Sequence, residues 1–170
     1  LVVGVYSLVV GTTAPASVGF AVTGKVLALA NTSGKLAGDK FTVIGCDVII
    51  NGETVATTGQ DGTFTIPSLA AGKYTATLSY QYGFDRNITI EVKDGNVNLG
   101  SYGMVVCNFK KDAAINGTDY NTYKKSTGKS KGSASYNEAC DFNHDGAVNG
   151  TDYNIYKAFT GKTLSNAIYG

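Results

Sequence analysis

Several residue types are scarce in this chain of 170 residues, and each shortage excludes a class of function. The formal net charge is only +1, and the single arginine, Arg86, forms no basic cluster with the scattered lysines. A nucleic-acid-binding protein needs a strongly basic face, so we expect no nucleic-acid partner. The only histidine, His144, lies in an Asp/Asn-rich stretch, which leaves Ser-His-Asp or Cys-His catalysis without a base. Because Glu53 and Glu91 are not placed to form an acid/base pair either, we expect a protein that is not an enzyme.

Cysteines and apolar runs are also limited. The three cysteines, Cys46, Cys107 and Cys140, include no CxxC pair and have no accompanying set of histidines, so zinc is not expected. The sequence leaves open one disulfide between any two of them or three buried free thiols. The apolar stretch LVVGVYSLVV, residues 1–10, is too short for a membrane helix, so we expect no membrane span.

What the chain does contain is an oxygen-rich stretch, DFNHDGAVNGTD, at residues 141–152, here called loop two. Side-chain oxygens occupy its positions one, three, five, nine and twelve, on Asp141, Asn143, Asp145, Asn149 and Asp152. Ala147 at position seven offers its backbone carbonyl, and Gly146 at position six suits a sharp turn. A Ca²⁺ ion takes about six to eight oxygens from such a loop, so loop two predicts a calcium site.

A second copy of this pattern precedes the first. Residues 107–129 align without gaps on residues 140–162, an offset of 33 (140 − 107), and such a duplication is a strong architectural signal. Each loop leads into a predicted helix whose cap is Asn116 or Asn149, followed three residues later by Asp119 or Asp152. Aromatic residues then recur at helical spacing, which favours packing between the two helices; they are Tyr120, Tyr123, Tyr153, Tyr156 and Phe159.

The earlier copy, residues 108–119, is called loop one and departs from the pattern. Its oxygen donors are Asn108, Asp112, the carbonyl of Ala114, Asn116 and Asp119. Lys110 takes the third position, where its charge repels a divalent cation. Ala113 replaces the turn glycine, and we expect a positive φ there at a cost of about 1 kcal/mol. Loop one should therefore bind calcium weakly or be held by packing alone.

Two loops of this form, each followed by one helix, resemble a dockerin module. The resemblance implies two Ca²⁺ loops related by a pseudo-twofold axis and a cohesin-type protein partner, in a secreted or cell-surface bacterial assembly such as a cellulosome. It also implies that the partner is recognised by the loop ends and by the helices that follow them. On this sequence those positions are Gly117, Thr118, Lys124 and Lys125 in the first copy, and Gly150, Thr151, Lys157 and Ala158 in the second.

Residues 20–105 show a mainly β pattern of short alternating runs separated by turn signals such as Asn51-Gly52 and Asp61-Gly62. This spacing predicts an immunoglobulin-like β-sandwich. Residues 55–80 resemble the carboxypeptidase regulatory-like or prealbumin-like sandwiches of secreted bacterial proteins. We therefore expect an apolar strand and linker over residues 1–19, a sandwich over 20–105, and a two-helix dockerin-like module over 106–170.

The N-terminal stretch, residues 1–10, is rich in β-branched residues and apolar on both faces of a strand, so we expect it to be buried in a sheet. If it folds back on its own domain, the chain is an adaptor that docks through the dockerin-like module. If it is donated to a neighbouring copy, the chain is a subunit of an extracellular pilus-like filament. The sequence leaves both alternatives open.

Overall fold

The computed structural model describes residues 19–164, and residues 1–18 and 165–170 lie outside that part of the chain. The predicted strand over residues 1–10 therefore lies outside the described residues, and the filament alternative stays a prediction. Within the described part the strands come first and the helices last, as predicted. The division of the chain near residue 105 remains a proposal.

The predicted sandwich is present, with seven strands among residues 19–164. They are β1 (Gly19–Ala28), β2 (Asp47–Ile50), β3 (Glu53–Thr57), β4 (Thr63–Ala70), β5 (Gly72–Ser79), β6 (Arg86–Val92) and β7 (Val97–Met104). One sheet has the order β4-β1-β7 and the other the order β3-β2-β5-β6. Every pairing is antiparallel except that of β1 with β7, which is parallel.

Alternation along the strands explains why these segments form a sandwich. In β4, Phe64 and Ile66 are buried while Thr63 and Thr65 are exposed, and β6 alternates in the same way through Val92. Because successive side chains of a strand point to opposite faces, one face of each sheet is apolar and is covered by the other sheet.

A tight hairpin joins β2 to β3 at the predicted Asn51-Gly52 turn. The φ angles are +52° at Asn51 and +83° at Gly52, the pair of left-handed conformations that a two-residue hairpin turn of this kind requires. Asn and Gly are the residues that adopt it at least cost. The turn chemistry read from the sequence is therefore confirmed.

The C-terminal part contains helices α1 (Gly117–Ser126) and α2 (Gly150–Phe159), with a short 3-10 helix at Glu138–Cys140 before loop two. Both predicted caps form: the Asn116 and Asn149 side chains accept from the backbone of their helices, and Asp119 and Asp152 accept from the cap residues. These reciprocal bonds satisfy N–H groups that a helix start leaves unpaired.

The aromatic positions divide between core and surface. Tyr123, Tyr156 and Phe159 are buried between the helices as predicted. Tyr120 and Tyr153 are 41% and 42% exposed, yet their rings still contact the other helix. The ring centroids of Tyr120 and Tyr156 are 5.9 Å apart, and those of Tyr123 and Tyr153 are 6.2 Å apart. Their place in the first turn of each helix leaves them at the rim of the helix pair.

The three cysteines are free and buried, which decides between the alternatives left open by the sequence. Burial raises the pKa of the Cys46 and Cys140 thiols to about 12, so both are protonated and unreactive at neutral pH. No helix among residues 19–164 has the length and apolar character needed to cross a membrane.

Candidate metal centre

The two repeats are related by a pseudo-twofold axis, which appears as matched hydrogen bonds. The Tyr123 hydroxyl donates to the Asn149 carbonyl oxygen at 3.3 Å, and the equivalent Tyr156 hydroxyl donates to the Asn116 carbonyl oxygen at 3.3 Å. The backbone follows the same rule: Gly128 N donates to Val148 O and Gly161 N donates to Ile115 O, both at 2.8 Å. Each loop is therefore paired with the segment that follows the other helix.

Loop two is wound around the carboxylate of Asp141, which is 1% exposed. Its Oδ1 accepts from Asp145 N at 3.2 Å, and its Oδ2 accepts from Gly146 N at 2.8 Å. Gly146 has a φ of +88°, so the predicted sharp turn is present where glycine adopts it without strain.

Asp145, at position five, is held by the two amides of the loop. Its Oδ2 accepts from Asn143 Nδ2 at 2.9 Å and from Asn149 Nδ2 at 3.3 Å. The bond from Asn143 is the main reason that the pKa of Asp145 lies below its ordinary value. Positions three, five and nine therefore converge within the loop.

Asp152, at position twelve, is fully buried at the start of α2. Its oxygens accept from Phe142 N at 2.8 Å and from Asn149 N at 2.9 Å. Burial is the largest cause of its raised pKa, and the nearby charge of Asp141 adds to the rise. Neither carboxylate forms an ion pair within the described residues. Two buried acidic groups that repel each other are a donor set that a divalent cation would stabilise.

No group of three His, Cys, Asp or Glu side chains able to hold a metal ion is present among residues 19–164. The predicted ligand set of loop two does not consist of such groups alone, because Asn143, Asn149 and the Ala147 carbonyl belong to it. Amide and carbonyl oxygens are ordinary ligands of a hard cation. The chemistry of the donor set therefore fits Ca²⁺ rather than zinc.

Loop one closes on itself in a different way. Asn108, fully buried at position one, accepts from Asp112 N at 3.3 Å and donates through Nδ2 to Asp112 O at 2.7 Å. At position one, loop two has a carboxylate, whereas loop one has an amide. That amide makes both of these hydrogen bonds within the loop, to the backbone of Asp112. Asp119, its last predicted ligand, is also buried and accepts from Asn116 N and Lys110 N.

The turn of loop one corrects one expectation. Ala113 does not have a positive φ; the left-handed residue of loop one is Lys111, with a φ of +53°. The equivalent residue of loop two, His144, has a φ of +55°. Both loops therefore turn at position four, but only loop two also turns at position six, where glycine permits it.

The two position-four side chains connect the loops to the sandwich. The Lys111 ammonium donates to Tyr80 O at 2.6 Å, to Gly83 O at 2.9 Å and to Asp85 Oδ1 at 2.6 Å. His144 Nε2 donates to Thr42 O at 2.9 Å. The sandwich therefore contacts each repeat through the same loop position.

The residues predicted to recognise a partner lie on the outer surface at the two helices. Gly117, Thr118, Lys124, Lys125, Gly150, Thr151 and Lys157 are exposed, and Ala158 is partly buried against the core. The first copy thus presents two adjacent lysines where the second presents Lys157 and Ala158.

Sequence reasoning missed Lys111, His144 and Tyr136 as residues that hold the loops. Lys111 and His144 occupy a loop position whose side chain carries no ligand signal, and their partners are distant in sequence. The Tyr136 hydroxyl donates to Asp141 Oδ2 at 2.7 Å from the segment between the repeats, where the duplication gives no signal.

Comparisons with known proteins agree with this architecture. Residues 109–159 match the family model described as the dockerin type I domain. The C-terminal part is therefore dockerin-like, as predicted. None of the curated proteins compared with this chain matches it.

Among solved structures, a chain of the type II cohesin–X–dockerin complex from Acetivibrio cellulolyticus is 27% identical to this protein. In the C-terminal interface mutant of that complex the TM-score is 0.64, with 87% of this chain and 99% of that chain covered. The N-terminal interface mutant gives 0.63 at the same identity and coverage. A DUF3823 family protein from Parabacteroides merdae is 18% identical, with a TM-score of 0.35, covering 52% of this chain and 48% of its own. Since the sandwich alone makes up about half of this chain, the first two matches extend over both of its parts.

Proposed function

We propose that this chain is a non-catalytic, extracellular bacterial assembly protein that docks onto a cohesin-type partner through its C-terminal module and binds Ca²⁺ through loop two. The observation that carries the proposal is the dockerin match over residues 109–159. It is supported by the likeness of the whole sandwich-and-module arrangement to a chain of a cohesin–X–dockerin complex.

In this proposal Ca²⁺ is held by the side chains of Asp141, Asn143, Asp145, Asn149 and Asp152 and by the Ala147 carbonyl. When bound, the ion supplies positive charge between carboxylates that otherwise repel each other. Asn149 also caps α2, since its Oδ1 accepts from Thr151 N at 2.8 Å. The same loop that binds the ion therefore fixes the start of the helix that carries Thr151 and Lys157.

The donors of loop one, Asn108, Asp112, Ala114, Asn116 and Asp119, would form the weaker site. Two features support a weaker affinity of loop one for calcium. The Asn108 amide already donates to Asp112 O within the loop, and position one holds this amide instead of a carboxylate. Lys110 at position three adds repulsion toward a cation. We propose that loop one keeps its shape through the sandwich rather than through calcium.

The pseudo-twofold axis would give the module two similar docking faces. One is formed by Gly117, Thr118, Lys124 and Lys125, the other by Gly150, Thr151, Lys157 and Ala158. The faces differ in charge, because the position of Lys125 is taken by Ala158 in the second copy. A partner with an acidic surface would therefore favour the first face.

The sandwich would act as a rigid support for the module. One cluster of buried apolar side chains runs from strands β1 and β7 into the helices, through Met104, Cys107 and Ile115. Phe109 of loop one packs on Tyr82 of the sandwich, with ring centroids 5.9 Å apart. A shared core of this kind fixes the angle at which the docking faces are presented.

The test is binding of the purified chain to immobilised cohesin modules, with calcium and with a chelator. The sequence match names a type I dockerin, whereas the structural match is to a type II complex, so cohesins of both types are used as probes. We expect calcium-dependent binding to one of the two types. Retention by neither type in calcium would contradict the proposal.

A pair of variants assigns the docking face. Lys124→Glu together with Lys125→Glu reverses the charge of the first face, and Lys157→Glu reverses that of the second. If the first face binds, only the double variant weakens retention, and the Lys157→Glu chain serves as the matched control. If both variants are retained as well as the parent chain, either face suffices or neither lysine position contacts the partner. A chain that carries all three substitutions separates these cases, because only the first predicts that retention is lost.

A further inference from the structure

Tyr136 contacts the candidate metal centre from outside the 12-residue loop. Its hydroxyl donates to Asp141 Oδ2 at 2.7 Å, and Asp141 is the buried residue at position one of loop two. A hydrogen bond from a hydroxyl to a carboxylate is among the stronger kinds in proteins. The bond therefore restrains the orientation of the Asp141 carboxylate.

The backbone around Tyr136 is itself fixed. Tyr136 N donates to Ser133 O at 3.1 Å, and the next residue, Asn137, donates from its backbone N to Ser126 Oγ at 2.7 Å. Ser126 is fully buried in the last turn of α1. The hydroxyl of Tyr136 is thus positioned by the helix of the first repeat, while the carboxylate that it contacts belongs to the second.

Because of this contact, the two carboxylate oxygens of Asp141 differ in their hydrogen bonds. Oδ2 accepts from both Gly146 N and the Tyr136 hydroxyl, whereas Oδ1 accepts a longer bond from Asp145 N, at 3.2 Å. A carboxylate can accept about four hydrogen bonds or equivalent contacts in all. Oδ1 is therefore the oxygen with more capacity left for a cation.

Within the part of the chain that the structure describes, loop one has no counterpart of this contact. The residue 33 positions before Tyr136 is Gly103, in strand β7, which has no side chain to donate. Asn108 does not need such a donor, because its own amide closes on Asp112 O. The hydroxyl is present only beside the loop that has a carboxylate at position one.

We propose that Tyr136 is a positioning residue for the divalent-cation site of loop two, orienting the Asp141 carboxylate through its hydroxyl and so raising the calcium affinity of the loop. The proposal rests on the proposed function, since it assigns a role toward the ion that loop two is proposed to bind. Residues that hold metal ligands in place commonly contribute about 10- to 100-fold in affinity.

The test is the Tyr136→Phe variant of the whole chain, which removes the hydroxyl and keeps the ring. Calcium titration by calorimetry should show affinity weakened about 10- to 100-fold, and dissociation into a chelator should be faster. Tyr120→Phe is the matched control, because Tyr120 is an exposed tyrosine on α1. Unfolding in chelator should show only the modest cost of one lost hydrogen bond for Tyr136→Phe. The extra stability that calcium adds should fall for Tyr136→Phe but not for Tyr120→Phe, which a purely structural role for the hydroxyl would not give.

The outcomes separate the two proposals. A parent chain that takes up no calcium overturns the proposed function and this inference together. A parent that binds calcium and a Tyr136→Phe chain that binds it equally well overturn the inference alone. If Tyr136→Phe does not fold, Ser126→Ala loosens the segment and keeps the hydroxyl; it should weaken calcium binding to a smaller extent, and unchanged affinity would contradict the inference.

Discussion

Loops one and two share a backbone plan but are stabilised by different kinds of contact. In loop one, the ammonium of Lys111 donates to three oxygens of the sandwich, and the Asn108 amide donates to the Asp112 carbonyl oxygen of the same loop. In loop two, the carboxylates of Asp141 and Asp152 lie buried near each other, and no cationic side chain of residues 19–164 pairs with them. The comparison teaches that two copies of a duplicated loop can keep the same turn with different partners: a neighbouring domain for the lysine of loop one, and hydrogen bonds within the module for the carboxylates of loop two.

The largest expected effect comes from removing carboxylates of loop two. At a calcium concentration about a hundredfold above Kd, binding should stabilise the chain by about 2.7 kcal/mol. Asp141→Ala together with Asp145→Ala should abolish most of this gain, whereas Asp112→Ala in loop one should change it little. Thermal unfolding with calcium and with chelator measures the difference, and two equally tight sites in a titration would refute the ranking of the loops.

A second variant makes loop one resemble loop two. Asn108→Asp, Lys110→Asn and Ala113→Gly together supply a carboxylate, remove a repelling ammonium and permit the second turn. We expect calorimetry to record a second equivalent of calcium at an affinity approaching that of loop two. Lys110→Asn alone is the control and should not create the site. An unchanged stoichiometry in the triple variant would show that the sandwich contacts prevent loop one from closing on an ion.

Lys111→Ala should lower stability by about 1–2 kcal/mol, because charge-assisted bonds to Asp85 and two carbonyls are lost from a partly exposed site. Lys110→Ala is the matched control, since Lys110 is an exposed neighbour in the same loop. The loss should be the same with calcium and with chelator, as measured by denaturant unfolding. A loss that appears only with calcium would mean that Lys111 acts on the metal site instead.

The carboxyl of Asp152 offers a pH test of the same comparison. Its pKa in the calcium-free fold is raised above the ordinary value of 3.8, chiefly by burial. Because the folded chain holds this proton more tightly than the unfolded chain, the contribution of Asp152 to stability falls as the pH rises through the raised pKa. Calcium favours the ionised form and should lower that pKa. Carbon NMR titration of Asp152 in chelator and in calcium measures the change, and identical curves would argue against a ligand role.

The smallest effect is expected at His144. His144→Asn keeps a residue that tolerates the left-handed conformation but is too short to reach Thr42 O. The lost bond should cost less than about 1 kcal/mol in denaturant unfolding. A loss larger than that of Lys111→Ala would mean that the sandwich holds loop two more tightly than loop one.

The architecture was predictable because its signals are local. Alternation in β4 and β6, the Asn51-Gly52 turn and the Asn-x-x-Asp caps each depend on residues within a few positions of one another. The duplication at an offset of 33 residues revealed two equivalent loops and hence their pseudo-twofold pairing. That loop one is the poorer calcium site stays a prediction, which depends on Lys110 standing where loop two has Asn143 and changing the charge of the donor set.

By itself, then, the sequence determined the strands and the capped helices, since propensity acts over short stretches, and it predicted the oxygen donors of both loops. Only the tertiary structure decided how the loops are held. Lys111 meets Asp85, 26 residues away, and His144 meets Thr42, 102 residues away. Tyr136 reaches Asp141 because α1 fixes its segment, and Ala113 has no positive φ although both loops turn at position four. Such contacts depend on packing between distant segments, whose geometry no local pattern encodes.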